Sequence, residues 1–188
     1  METSQKKETL KIHTIATAPE GSKAKLEKIK KTYGQIPNSF GVLAGSPGLL
    51  EAYQTLDKLF SSASFDKDEL TVVWQTINIE HDCRYCVPGH TAVAKTMQVD
   101  DALTEALRNK TKMPSEKLQV LHETTLAMTR SRGNISQEEI ETFYAAGYNQ
   151  RHLLEIILGL SQKVISNYTN HIAETPLDKS LEKFAWDN

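Results

Sequence analysis

The chain has 188 residues, 39% of them hydrophobic and 24% charged, with a formal net charge of −2 and an isoelectric point near 6.3. That composition fits a globular protein with a core of its own; it excludes the disordered class and argues against a basic nucleic-acid binder. No apolar run approaches a membrane span, and the first twenty residues carry neither an apolar core nor a cleavage site, so no secretory signal is read and the expected compartment is the cytoplasm.

Residues 1–20 are polar and without periodicity, and are read as an N-terminal extension. Residues 21–188 are read as one all-helical domain. Leu26, Ile29 and Tyr33 set a helical period over 22–33, stopped by Gly34. One short helical piece is expected in the turn-rich stretch 35–48. Ser46 followed by Pro47 opens a helix carrying Leu50, Tyr53, Leu56 and Phe60. Asp66 and Glu69 have capping-box spacing, and Leu70, Val73, Trp74 and Ile77 then mark one face of a buried helix. A helix is expected from about 87 through 97. Asp100 and Asp101 cap a short one through 107. Pro114 precedes another over 115–132, with Gly133 as its stop. Ser136 and Glu139 form a second capping box, and Gly147 ends that helix. A long helix over 150–173 is closed off by Pro176, and 177–185 is read as a short tail helix. No stretch alternates as a strand would, so the fold class is all-α.

Chemistry concentrates in the only two cysteines, Cys83 and Cys86. Their spacing in a helix or turn brings the Cα atoms to roughly 5–6 Å, inside the disulfide window. The pair can then cycle between dithiol and disulfide. The thiolate is the reactive form. Pro88 is tolerated only in a first helical turn, so the helix through 97 starts close to Cys86, with Asp82 capping an overlapping turn. A helix N-terminus lowers a thiol pKa, and Arg84 adds a positive charge. His90 follows Cys86 by one turn on the same side, placed to accept its proton or pair with its thiolate. Glu80 is placed to orient a histidine or relay protons through water. Cys86 is therefore read as the attacking thiol and Cys83 as the resolving thiol.

Two other readings stand beside this one. Zinc accepts Cys83, Cys86, His90 and His81, although four ligands within ten residues tie no distant segments together. A helical scaffold could instead use the dithiol for disulfide exchange with protein partners. The thioredoxin arrangement itself fails, because it needs strands around its C-x-x-C helix.

The run Glu80-x-x-Cys83-x-x-Cys86-x-x-x-His90, with the apolar helix before it, resembles the alkylhydroperoxidase D-like, peroxidase-related branch of the carboxymuconolactone decarboxylase family. The stretches 34–40 and 166–178 are similar to the N- and C-terminal portions of such proteins. The resemblance implies an alkylhydroperoxidase D-like helical bundle that assembles as a homo-oligomer, a trimer or hexamer or else a dimer. It implies a thiol-dependent peroxidase for alkyl hydroperoxides or hydrogen peroxide, with the later cysteine attacking. No cofactor and no resident metal are implied, nor a nucleic-acid or membrane partner. The reductant implied is a dithiol or a lipoyl-bearing or thioredoxin-like protein. The family's relay glutamate, about twelve residues before the first cysteine, falls on Thr71 here. Glu69, Glu80 and His81 are the candidates to replace it. The histidine that some members carry inside the C-x-x-C is Tyr85.

Overall fold

The computed structural model describes residues 10–187. They form nine α-helices: α1 (Glu20–Tyr33), α2 (Asn38–Leu43), α3 (Pro47–Ser61), α4 (Lys67–Glu80), α5 (Cys86–Thr96), α6 (Asp101–Arg108), α7 (Glu116–Ser131), α8 (Gln137–Ala145) and α9 (Gln150–Ala173). A 3-10 helix, Lys179–Phe184, follows. No strand occurs among the described residues, so the all-α expectation holds. None of these helices is long and apolar enough to cross a membrane.

Local sequence chemistry starts the helices. Ser46 and Ser115 accept from the backbone N–H groups of Leu49 and Leu118. Asp66 with Glu69, and Ser136 with Glu139, form reciprocal capping boxes. Asn149 does the same with His152. The short tail helix expected over 177–185 is found over Lys179–Phe184. It is a six-residue 3-10 helix, and Arg108 donates to the carbonyl oxygens of Phe184, its last residue, and of Ala185 just beyond.

α4 is the central helix, with every residue from Glu69 to Asn78 buried. It packs on α7, α5, α9 and α6, while α9 lies along α3. Phe60, Val72, Val73, Ile77, Leu103, Leu121, Phe143 and Ile156 form the main core. Leu26, Ile29, Leu43 and Leu50 form a second cluster under α1–α3. At Gly159 on α9 the Phe60 ring comes so close that an added Cβ would lie 2.8 Å from it, so only glycine permits this approach of α3 to α9. Residues 10–18 lie against α2: the His13 N–H donates to the Gly41 carbonyl at 2.9 Å, and Ala18 is buried.

Five helices end on a left-handed residue that is not glycine: Asp82, Gln98, Lys110, Arg132 and Glu174. At the end of α4 the Cys83 N–H donates to the Asn78 carbonyl and the Asp82 N–H to that of Ile79, which is a Schellman motif. Asp82 therefore terminates α4 and does not cap a turn before Cys86, a correction to the sequence reading. The reversal it creates turns Cys83 into the interior, where it is fully buried.

Candidate active site

Two helix ends meet at the dithiol. Cys83 is the third residue beyond α4, and Cys86 is the first of α5, as the position of Pro88 required. Both are free thiols, and both are buried. The Cys86 N–H donates to Cys83 Sγ at 3.3 Å. Leu177 and Leu181 cover the pair from the tail. Asn170 Nδ2 donates to Cys86 Sγ at 3.2 Å, while its own Oδ1 is buried without a partner.

These contacts separate the two thiols. Burial pushes the Cys86 thiol up, but the hydrogen bond from Cys83, the Lys163 charge and the amides of Asn170 and Asn167 outweigh it, and its pKa falls to about 6. Cys83 moves the other way, chiefly because it donates to Cys86, then through burial and the Cys86 charge. Cys86 is thus the thiol favoured to ionise, and Cys83 the one that stays protonated and hydrogen-bonds to it.

Cys86 opens onto a cavity of about 610 Å³ with an apolar and aromatic wall that includes Tyr33, Phe40, Tyr53, Leu70, Trp74 and Met97. Asp57, His90, Lys163 and Ser166 supply polar groups. A second cleft, of about 580 Å³, is lined by Asp82, Cys83, Arg84, Asn170 and His171 among others. Trp74 is both core and wall: its ring lies 4.9 Å from His90 and 5.2 Å from Phe60. Its Nε1 donates to Gln162 Oε1, and Gln162 Nε2 donates to Asp57 Oδ1, each at 2.7 Å.

The remaining sequence candidates are dispersed. His90 lines the cavity, but its Nε2 lies 2.5 Å from Lys163 Nζ, and among the described residues its Nδ1 has no partner and neither nitrogen is hydrogen-bonded to a sulfur. Burial, and then the Lys163 charge, hold the His90 pKa well below the ordinary histidine range. Glu80 is occupied by Arg130, with Nε and Nη2 on its two oxygens at 2.8 and 2.9 Å. His81 pairs through Nδ1 with Asn167 Oδ1 at 2.9 Å. Glu69 is held by the α4 capping box and by Lys117 at 2.8 Å. The Thr71 hydroxyl donates to the Lys67 carbonyl. Tyr85 donates to the Asp178 carboxylate, and its oxygen accepts from the Ser39 N–H at 3.3 Å. Arg84 is exposed, so the cation acting on Cys86 is Lys163 of α9 and not this neighbour. Among the described residues no three His, Cys, Asp or Glu side chains converge to hold a metal ion.

Neither a family model nor a curated protein matches the chain. Solved structures do. A peroxidase-related protein from Ralstonia eutropha JMP134, with an alkylhydroperoxidase AhpD core, superposes with a TM-score of 0.79 at 15% identity, over 91% of this chain and 92% of that one. The chain has the alkylhydroperoxidase D-like fold. A peroxidase-related protein from Silicibacter sp. TM1040 shares that fold at a TM-score of 0.72 and 18% identity, over 95% of each chain. So does the debrominase Bmp8 in complex with 2,3,4-tribromopyrrole, at 0.75 and 14% identity, over 93% of this chain and 94% of that one.

On this alkylhydroperoxidase D-like scaffold the residue that sequence reasoning missed is Lys163. Gln162, Lys163, Ser166, Asn167 and Asn170 make a buried polar stripe on one face of α9, amid the helix's apolar residues. Polar residues at spacing i, i+1, i+4, i+5 and i+8, where a core face belongs, were the available signal.

Proposed function

We propose that the protein is a thiol-dependent peroxidase acting on organic hydroperoxides. The observation that carries this reading is a buried thiolate, Cys86, stabilised by a neighbouring thiol and an amide at the edge of an apolar cavity. Cys86 attacks the terminal peroxide oxygen and becomes a sulfenic acid as the O–O bond breaks, and the alcohol leaves. The Cys83 thiol then displaces hydroxide from that sulfur, forming the disulfide and water. The free Asn170 Oδ1 is an acceptor for the hydroperoxide O–H. Two electrons from an external dithiol restore the pair. Burial of both sulfurs favours a small dithiol or a lipoyl arm entering the cavity over a flat thioredoxin-like surface, and disfavours direct exchange with protein disulfides. The exposed side chains of Leu154, Ile157, Tyr168 and Ile172 on α9 support assembly into a homo-oligomer.

Peroxide consumption with a dithiol reductant tests the reading. Cys86→Ser abolishes turnover. Cys83→Ser gives one turnover and stops at a sulfenic acid that dimedone traps. Full activity in Cys86→Ser refutes the assignment.

The aromatic wall and the structural likeness to a debrominase support a second reading, reductive dehalogenation. The dithiol would supply two electrons, replace carbon–halogen by carbon–hydrogen, release halide and become the disulfide. Halide release from a bromoarene without peroxide separates the two activities.

A further inference from the structure

A lysine ammonium inside a protein core costs several kcal/mol unless a counter-charge and hydrogen bonds compensate. Lys163 is 1% exposed, and among the described residues it has no carboxylate in ion-pair contact. The charged or titratable groups that act on it are Cys86 of α5, Asp57 of α3 and Cys83 of the turn between α4 and α5. Its hydrogen bond goes to His90 of α5. With Lys163 as the ammonium, Nε2 of His90 accepts that bond, which leaves the ring proton on Nδ1 and the ring neutral. A second positive charge 2.5 Å from the ammonium in this buried site would be repelled, so imidazolium is not the stored form. The mobile proton beside the cysteine is therefore on Lys163.

We infer that Lys163, not His90, is the group that pairs with the Cys86 thiolate and protonates the departing oxygen of the peroxide, while His90 is the positioning residue that holds the ammonium in the cavity. The inference rests on the peroxidase reading and names its proton donor. The step balances: Cys86–S⁻, ROOH and Lys163–NH₃⁺ give Cys86–SOH, ROH and Lys163–NH₂. One S–O bond forms, one O–O bond breaks, and the sulfur is oxidised by two electrons. Reduction of the later disulfide regenerates two thiols, and the proton of Cys86 returns to Lys163. The ammonium is thus rebuilt in every cycle.

Two variants and two peroxides test this. Lys163→Met keeps the length and removes the charge. Lys163→Arg keeps the charge but holds its protons too tightly to give one up. Thiolate absorbance at 240 nm, followed against pH, should shift upward by about one unit or more in Lys163→Met and stay near wild type in Lys163→Arg. At a pH where the thiolate is fully formed, turnover of an alkyl hydroperoxide should fall about 100-fold in both variants. Turnover of a peracid should change little there, because a carboxylate leaves without protonation. A thiolate titration unmoved in Lys163→Met overturns the pairing. Equal losses with both peroxides, or full recovery by arginine, overturn the proton donation. His90→Gln, which keeps an acceptor for Lys163 but holds it less well, should cost clearly less alkyl hydroperoxide turnover than Lys163→Met; a loss matching that of Lys163→Met overturns the assignment to lysine. A wild type that consumes neither peroxide sinks the peroxidase reading and the donor step with it. The 240 nm titration judges the ion pair in either case.

Discussion

Replacing Asn170 by leucine removes the amide that donates to Cys86 Sγ at 3.2 Å and keeps a side chain of similar size in a buried position. A hydrogen bond to a charged group contributes about 1.5–3 kcal/mol. At about 1.4 kcal/mol per pKa unit, its loss raises the thiol by about 1–2 units. Starting from about 6, the titration moves to about 7–8. The thiolate fraction at pH 7 then falls from about nine-tenths to between about a half and a tenth. The sign follows from the acid form: Cys86 is reactive above its pKa, so the variant is slow at neutral pH and recovers as pH rises. Alkylation by iodoacetamide, timed from pH 5 to 9.5, reads this without any assumption about the natural substrate. A midpoint within about 0.3 units of wild type would show that the Asn170 amide does not support the thiolate.

Three further outcomes follow from other parts of the molecule. Gly159→Ala presses a methyl group against Phe60 and should lower stability by about 1–3 kcal/mol in urea unfolding; an unchanged midpoint would mean α3 and α9 separate freely. His90 is held below the ordinary histidine range by burial and then by Lys163, and His122 is lowered by burial and by Arg130 against the opposing pull of Glu123. The unfolded chain therefore binds more protons as pH falls through 6.5, and unfolding free energy should drop there, in addition to the decline that the lowered Cys86 thiol produces as pH falls toward about 6. His122→Gln should flatten part of that slope, and an identical slope would refute its share. Arg132 is exposed and left-handed at the end of α7, so Arg132→Gly should raise the melting temperature through a gain of about 0.5–1 kcal/mol; a loss would mean that the arginine side chain itself anchors the turn.

Helix starts were legible in the sequence because caps are local: Asp66, Ser136, Ser46 and Asp100 each act on backbone within three residues. Helix ends were less so. Gly34 and Gly147 announce theirs, whereas Asp82, Gln98 and Glu174 take the left-handed conformation within the backbone hydrogen bonds that close their helices, and no glycine marks them. The same division runs through the site. The two thiols and the start of α5 at Cys86 follow from spacing and from Pro88. The pairing of Glu80 with Arg130 and of His90 with Lys163 joins residues 50 and 73 positions apart, and a local motif carries no information about such partners. Arg84 is the cation nearest to the cysteines in sequence but is exposed, whereas the charge that acts on Cys86 comes from Lys163 of α9.

Cys83 closes α4 and Cys86 opens α5, so only two residues separate the sulfurs along the chain. A covalent link between them would close one of the smallest rings a protein backbone allows. By the chain-entropy relation such a ring restricts the denatured ensemble by only about 2 kcal/mol, against about 5 for a loop of a hundred residues. The oxidised and reduced proteins should therefore melt within a few degrees of each other, leaving the electron inventory of the molecule nearly independent of its architecture.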